Sequence, residues 1–196
     1  MKFFAIYTTV KIINKPDWLD DFRSKFDLEY NPETGCYDDP YEMHITLTQP
    51  RFISDNDAQI LKTRLEELFN NNNNIGNLDV EFSDWHLDRQ DETNNGCIMI
   101  KSPEYAKLSN LQQQLLEIIG NNHNYLEPKY EKYEKNFIPH LTIGRDLSKE
   151  RYDSAISILP KSLLVKAEVD NIVLAIVKDK SAAERNNPNN LNVYRP

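Results

Sequence analysis

The chain of 196 residues has little cysteine, little glycine and no long apolar run. Its two cysteines, Cys36 and Cys97, are too few for a disulfide scaffold and lack the neighbours and spacing of a metal site, so they favour a reducing compartment and we expect the cytoplasm. With only five glycines, no Gly-rich phosphate loop is present. No stretch approaches the roughly 20 apolar residues needed to span a bilayer. The N-terminal residues alternate between apolar and polar, which indicates a strand and not a signal peptide.

Positive charge is also scarce. The chain has 23 Lys and Arg residues against 31 Asp and Glu residues, giving a net charge of −8. Tight, sequence-independent binding of long nucleic acid depends on many basic side chains that replace counterions, so we do not expect it here. A small phosphate-bearing ligand in a local basic pocket remains compatible with this charge. We expect a soluble monomer with no membrane partner.

Hydrophobic periodicity predicts strands and helices that alternate without the regular rhythm of a parallel α/β protein. Alternating apolar and polar residues predict strands over 2–13, 43–48, 78–87, 97–101, 137–143, part of 163–177, and 191–194. Apolar residues at helical spacing predict helices over 16–26, 54–69, 105–119 and 148–159. Loops are expected over 31–41, 70–74, 121–136 and 178–190, and a polar turn makes 78–87 and 97–101 a hairpin. These elements indicate an α+β fold with mainly antiparallel sheets.

Two of the four histidines lie in the same short pattern. His44 and Thr46 belong to EMHITL, and His140 and Thr142 belong to IPHLTI. Side chains two positions apart in a strand point to the same side, so each strand presents one imidazole and one hydroxyl on a polar face and apolar residues on the other. The probability of this pairing by chance is on the order of one per cent, so we interpret the pair as a functional site.

Cleavage of a phosphodiester suits this arrangement. It requires a base that takes a proton from the attacking hydroxyl or water and an acid that protonates the departing oxygen, and two histidines can share these roles because histidine titrates near neutral pH. The threonine hydroxyls can donate hydrogen bonds to the non-bridging phosphoryl oxygens. We therefore expect the two motifs to face each other across a cleft and to bracket one phosphorus.

Other mechanisms find less support in the sequence. Neither motif has a second metal ligand at a common spacing, apart from Glu42, which shares the strand face of His44 but stands alone. No serine or cysteine lies in a nucleophile-elbow context. We therefore expect no metal and no other cofactor. The remaining histidines, His86 and His123, lack the paired setting and are expected to have structural roles.

The chain order around the two motifs is similar. Each motif strand is followed by a short loop, a serine that can cap a helix, and an amphipathic helix; the two serines are Ser54 and Ser148. This order indicates an internal duplication in outline, although no sequence identity beyond the motif accompanies it.

The two motifs, 96 residues apart, resemble those of the 2H phosphoesterase superfamily, which includes bacterial 2′-5′ RNA ligase-like proteins and cyclic phosphodiesterases. The second motif lies in FIPHLTIGR, MKFFAIY resembles the first strand of the family, and IVLAIV and NVYRP resemble its closing strands. The resemblance implies one bilobal α+β domain over residues 1–196, with two mainly antiparallel sheets related by pseudo-twofold symmetry around a central cleft and helices on the outer faces. It also implies that His44 and His140 are the acid and base, that Thr46 and Thr142 bind phosphate, and that no metal is required.

The resemblance bounds the substrate without selecting it. Family members act on 2′,3′-cyclic phosphates at RNA ends, 2′-5′ linkages, ADP-ribose cyclic phosphate, 3′-oligouridylate tails or cyclic oligonucleotides. We expect a phosphodiesterase that hydrolyses a small nucleotide or a short RNA terminus. A non-catalytic nucleotide-binding module and a reversible 2′-5′ RNA ligase stay open as alternatives. The sequence does not distinguish the base from the acid.

Residues near the motifs are candidates for substrate binding. Arg145, just beyond the second motif, could form a charge-assisted contact with a phosphate, or be a solvated strand-end arginine. The aromatic residues Tyr41, Tyr130, Tyr133 and Phe137 could stack on a base. Packing is the other role open to aromatic residues beside strands.

Overall fold

The computed structural model describes residues 2–31, 36–38, 42–71, 78–88, 96–120 and 123–195. The strands in these ranges are β1 (Lys2–Ile12), β2 (Glu29–Asn31), β3 (Cys36–Asp38), β4 (His44–Ile53), β5 (Asp79–Phe82), β6 (Asp84–Asp88), β7 (Gly96–Lys101), β8 (His140–Leu147), β9 (Val165–Val177) and β10 (Leu191–Tyr194). The helices are α1 (Asp17–Phe26), α2 (Asp55–Asn71), α3 (Ala106–Ile119), α4 (Lys129–Lys135), α5 (Lys149–Ser157) and α6 (Ala182–Arg185). Among the described residues, no helix is long and apolar enough to cross a membrane.

Two antiparallel sheets organise the molecule, as the α+β prediction required. The five-stranded sheet has the order β10-β9-β1-β4, and β5 pairs with β9 beside β10. The three-stranded sheet has the order β6-β7-β8. The motif strands β4 and β8 lie at the ends of these two orders and contact each other. The fold therefore brings the two motifs to the junction of the sheets.

The apolar face of each motif strand is buried in the core. Ile45 and Leu47 of β4, and Leu141 and Ile143 of β8, are at most 1% exposed. Helices α1, α2, α3 and α5 contribute apolar residues to the same core cluster. Because the helices cover the apolar faces, the opposite faces with the motif histidines are left for the cleft.

Serine caps begin the helices that follow the motif strands, as predicted. The Ser54 hydroxyl accepts a hydrogen bond from the backbone N–H of Asp57 at 3.1 Å, and the Ser148 hydroxyl accepts one from Arg151 at 3.4 Å. Helix α3 ends at Gly120, whose φ of 67° lies in the region that favours glycine. The outline of a duplicated strand, cap and helix is present in the structure.

The two sheets also exchange helices. Helix α1 follows β1 of the five-stranded sheet but contacts β8 and α5, whereas α3 and α4 follow β7 of the three-stranded sheet but contact β4. An ion pair with a buried carboxylate accompanies each crossing. Asp27, directly after α1, binds Arg145 of β8, and Glu134 of α4 binds Arg51 of β4. We call these two ion pairs the reciprocal braces.

The predicted strand over 78–87 was wrong in one respect. It divides at Ser83 into β5 and β6, and the two parts join different sheets: β5 pairs with β9 and β6 with β7. The predicted hairpin is present between β6 and β7. The alternation changes phase at this point, because Val80 and Phe82 lie at even positions and Trp85 and Leu87 at odd ones, and the sequence prediction did not use that signal.

Other boundaries also differ from the sequence prediction. Strands β4 and β8 run beyond the predicted ends at residues 48 and 143, to Ile53 and Leu147. The expected loop over 31–41 begins at the last residue of β2 and contains β3, and the expected loops over 121–136 and 178–190 contain α4 and α6. Helix α2 continues to Asn71, into the expected polar loop. Helix α4 was missed because KYEKYEK has no apolar stripe, and the buried contacts of Glu134 hold it in place instead.

Candidate active site

The motif residues occupy equivalent positions at the starts of their strands. His44 is the first residue of β4 and His140 the first residue of β8. Thr46 and Thr142 follow two positions later, and all four side chains are half-buried. The neighbouring residues of each strand are buried on the opposite face. The predicted polar and apolar faces are therefore present in both motif strands.

Both imidazoles are oriented by the same backbone contact. The Nδ1 of His44 lies 2.9 Å from the carbonyl oxygen of Glu42, and the Nδ1 of His140 lies 2.9 Å from the carbonyl oxygen of Ile138. A carbonyl oxygen only accepts hydrogen bonds, so Nδ1 carries the hydrogen in both rings. The neutral imidazole therefore has its lone pair on Nε2. Each strand supplies a proton acceptor in a defined tautomer.

The surroundings lower the pKa of both histidines. Burial is the largest cause for His44, and the charges of Arg145 and His140 lower its pKa further, while the Glu42 carbonyl and the Asp27 carboxylate oppose the shift. Burial is also the largest cause of the lowered pKa of His140, which the Ile138 carbonyl opposes. The effect of His140 on the pKa of His44 shows that the imidazoles lie within electrostatic reach of each other. Both rings are predominantly neutral at pH 7.

The face of the five-stranded sheet beside His44 is largely uncharged. Tyr7 of β1 pairs with Thr46, and Thr9 pairs with His44. The Tyr7 ring lies 5.2 Å from the imidazole of His44 between centroids, at 60°. Burial, and then the charge of Glu42, raise the pKa of the Tyr7 phenol. The sequence analysis did not select Tyr7, because the alternation in β1 does not reveal which strand it pairs with.

The face of the three-stranded sheet beside His140 is charged. Lys101 of β7 pairs with His140, and Asp84 of β6 pairs with Lys101. One step along the strands, Met99 pairs with Thr142 on one side and with His86 on the other. Directly opposed residues of antiparallel strands point to the same side.

The two histidines outside the motifs lie in different surroundings. His86, for which the sequence indicated a structural role, is exposed on the same face as His140, and its charge lowers the pKa of His140. His123 packs edge-on against Phe4, with 5.6 Å between the ring centroids. This contact fits the structural role expected for His123.

The five substrate-binding candidates differ in their positions. Tyr130 is half-buried on α4, and its hydroxyl donates to the Glu127 carboxylate at 2.9 Å. The Nε of Arg145 donates to Asp27 at 2.7 Å, and the effect of Arg145 on the pKa of His44 shows that its charge reaches the site. Tyr133 is 45% exposed on α4. Phe137 is half-buried and contacts Tyr105 edge-on, which is the packing role left open for it. Tyr41 lies outside the described residues.

Two further observations bear on nucleophilic and metal chemistry. Cys97 is a free, half-buried thiol, and burial is the largest cause of its raised pKa, which disfavours the nucleophilic thiolate. In the part of the chain that the structure describes, no group of three or more His, Cys, Asp or Glu residues is placed to hold a metal ion.

Comparison with known proteins defines the class. The model of the 2′-5′ RNA ligase superfamily matches residues 18–180, and the chain therefore belongs to this superfamily, the 2H phosphoesterases. The resemblance drawn from the paired motifs is confirmed. A comparison with curated proteins finds no match in sequence.

Solved structures show the same fold at low identity. The structure of Usb1 from Kluyveromyces marxianus aligns with a TM-score of 0.55 and 10% identity, covering 99% of this chain and 98% of Usb1. A crystal structure of a phosphoesterase aligns with a TM-score of 0.50 and 13% identity, covering 100% and 96% of the two chains. Escherichia coli LigT, complexed with 3′-AMP, aligns with a TM-score of 0.46 and 14% identity, covering 100% and 96%. The first two alignments establish the shared bilobal fold.

Proposed function

We propose that the protein is a metal-independent phosphodiesterase that opens a small nucleotide or RNA-end phosphodiester, such as a 2′,3′-cyclic phosphate or a 2′-5′ linkage. His44 and His140 are the general acid and base, and Thr46 and Thr142 hold the phosphoryl oxygens. The observation that supports this most directly is the repeated imidazole geometry, in which each Nδ1 is bound to a backbone carbonyl and each Nε2 is left for proton transfer.

Two imidazoles placed in this way can complete a hydrolysis without another proton carrier. The neutral ring takes a proton at Nε2 from the attacking water, and the protonated ring gives one from Nε2 to the departing ribose oxygen. Because the pKa of both rings is lowered, both are neutral in the ligand-free site, and the reaction needs one of them to be protonated. An anionic phosphodiester between the rings favours protonation of one imidazole, because the opposite charge stabilises the imidazolium.

The remaining polar groups suit charge stabilisation. The Thr46 and Thr142 hydroxyls share faces with their histidines and can donate to the non-bridging oxygens as their charge redistributes. Arg145 adds positive charge near His44, and the buried carboxylate of Asp27 fixes its Nε. Membership of the superfamily supports phosphodiester chemistry at a cleft of this kind. The low cysteine content supports a cytoplasmic location, and we propose that residues 1–196 form one two-lobed unit that acts as a monomer.

A substrate panel tests this proposal. The parent protein is incubated with 2′,3′-cyclic mononucleotides, 2′-5′ and 3′-5′ oligonucleotides and cyclic dinucleotides, in parallel with the double variant His44→Ala, His140→Ala. We expect turnover of at least one class by the parent, unaffected by chelator, and none by the double variant. His123→Ala is the matched control and should retain activity, because His123 packs on Phe4 away from the motifs.

Other outcomes of the panel would support the alternative functions, a nucleotide-binding module or an RNA ligase. Tight binding of an unmodified nucleotide in calorimetry, with no product after prolonged incubation, would show a binding module. Joined RNA in place of opened ends would show a ligase. Activity that is equal in the parent and the double variant would exclude the two histidines as acid and base.

A further inference from the structure

The two sheets present different chemistry to the candidate cleft. Beside His44, the row across the five-stranded sheet consists of Thr9 and Asn171, and beside Thr46 it consists of Tyr7, Val173 and Val193. These side chains carry no charge, and the second row is apolar except for one phenol. Beside His140 and Thr142, the three-stranded sheet instead presents the basic residues Lys101 and His86. A mechanism that uses only the paired motifs does not account for this difference.

Lys101 is placed to meet an anion. It lies directly opposite His140 in the β7–β8 register, so both side chains point to the cleft side. It is half-buried, and within the described ranges it forms no ion pair. A lysine held in this position has three donors to offer to a ligand.

His86 extends the basic surface away from the reacting centre. It lies on β6, two strands from β8, and neighbouring strands are about 4.8 Å apart, so it is roughly 10 Å from the motif strand. The next phosphate of a short nucleotide chain can lie at a distance of this order from the one that reacts. Its influence on the pKa of His140 is consistent with this proximity.

Acidic residues share this face and must be weighed against the basic pair. Asp84 lies opposite Lys101, and Asp88 lies further along β6, opposite Cys97. A cross-strand pair of Lys101 and Asp84 would be the simplest structural role for both residues. Their side chains nevertheless form no ion pair in the part of the chain that the structure describes. Asp84 therefore reduces the positive potential of this face but leaves the Lys101 ammonium open to a ligand.

We propose that Lys101 and His86 form a second anion subsite beside His140, and that the substrate carries a second phosphate about one nucleotide away from the reacting phosphodiester. The substrate class is then the end of a short oligonucleotide, or a nucleotide with an additional phosphate, and not a lone cyclic mononucleotide. This inference rests on the proposed function for the reacting phosphodiester. The apolar row with Tyr7 is left for the nucleobase.

The test compares substrates that differ by one phosphate. The kcat/KM of a 2′,3′-cyclic mononucleotide is measured with and without a 5′-phosphate, and the ratio of the two values is the readout. In the parent we expect the second phosphate to raise kcat/KM about tenfold or more, the effect of a charge-assisted contact. In Lys101→Gln and in His86→Gln this ratio should fall towards one.

Two further variants make the test specific. Asp84→Asn removes a negative charge from the subsite and should raise the ratio above that of the parent. Lys149→Gln removes an exposed lysine of α5, an outer helix, and should leave the ratio unchanged. Circular dichroism and thermal unfolding of each variant show that the comparison is made on folded protein.

Binding separates the failure of this inference from the failure of the proposed function. Calorimetry of a nucleoside 3′-monophosphate and the corresponding 3′,5′-bisphosphate gives the same ratio without turnover. A gain for the bisphosphate that Lys101→Gln abolishes supports the subsite even if no substrate is hydrolysed, in which case only the catalytic proposal fails. Equal affinity for both ligands, or an equal gain in the parent and in Lys101→Gln, overturns the subsite whatever the activity.

Discussion

The β4 side and the β8 side of the cleft share one device and differ in almost everything around it. Each has a histidine at the first position of an edge strand, with Nδ1 bound to the carbonyl two residues earlier. His44, however, lies against an aromatic ring, whereas His140 lies across from a lysine. The comparison teaches that the proton-transfer geometry depends only on the local strand, while the surroundings can distinguish one end of the substrate from the other.

The largest expected effect comes from replacing the two motif histidines, the feature that both sides of the cleft share. His44→Ala and His140→Ala should each lower kcat by about 10²- to 10⁴-fold, because acid and base act in the same step. The kcat of the double variant should be only slightly below that of the less active single variant, since the effects of residues that act as a unit are not additive. Steady-state kinetics with the substrate identified in the panel gives these values. Single variants that both stay within about tenfold of the parent would contradict the symmetric assignment.

The reciprocal braces give the next largest effect, measured on stability. Asp27→Ala and Glu134→Ala should each lower the free energy of unfolding by about 3–5 kcal/mol, because the first leaves the buried Arg23 and the half-buried Arg145 without their carboxylate and the second does so for the buried Arg51. Asp27 is fully buried and Glu134 is 4% exposed. Denaturant unfolding checks the prediction, with Asp55→Ala as a control whose ion pair to Lys2 is exposed. A large loss in one variant alone would show that the braces are not equivalent.

The two threonines sharpen the comparison at a smaller scale. Thr46→Val and Thr142→Val keep the side-chain shape and remove the hydroxyl, and we expect each to lower kcat by about tenfold to a hundredfold. Thr63→Val, on the exposed face of α2, is the matched control and should have no effect. Equal losses would indicate that both hydroxyls contact the phosphoryl group, and a loss in one variant only would assign the phosphate to one strand.

The pH profile should show the smallest effect. Activity requires one neutral and one protonated histidine, and both pKa values are lowered, so the maximum of kcat/KM should lie below the ordinary histidine pKa of about 6.5. Raising the pH through neutrality then removes the proton of the acid and lowers kcat/KM. His86→Gln removes a charge that lowers the pKa of His140, so the limb of the pH profile that reflects His140 should move to higher pH. An optimum well above pH 7 would contradict the lowered pKa of the two histidines.

Much of the fold was predictable where the signal is local. Helix α3 follows from its apolar stripe and from Gly120, and the serine caps predict where α2 and α5 begin. Strand β10 was predicted at its observed bounds, Leu191–Tyr194. The break at Ser83 is marked in the sequence by a change in the phase of the alternation between Phe82 and Trp85, but the sequence does not show that the two parts join different sheets. Helix α4 depends on tertiary contacts that its own sequence does not reveal.

For the site, too, the residues in a local motif could be predicted and those placed by distant contacts could not. The motif pattern identified the residues that the structure brings into electrostatic reach, His44 and His140. Lys101 and His86 reach the cleft face only through the β6-β7-β8 register, which the sequence does not specify. Asp27 binds an arginine 118 residues away, so no local pattern indicates its role. Residues that reach the site only through strand pairing or tertiary contacts can therefore be identified only from the structure.

The backbone anchors of the two imidazoles have a consequence for how such a cleft can change its specificity. Many histidines rely on a carboxylate to select the tautomer, and replacing that carboxylate disturbs the chemistry. Here the carbonyls of Glu42 and Ile138 perform this task, and a carbonyl belongs to the chain whatever side chain is attached. The side chains lining both sheets can thus be exchanged to recognise another nucleotide while the proton donor and acceptor keep their alignment.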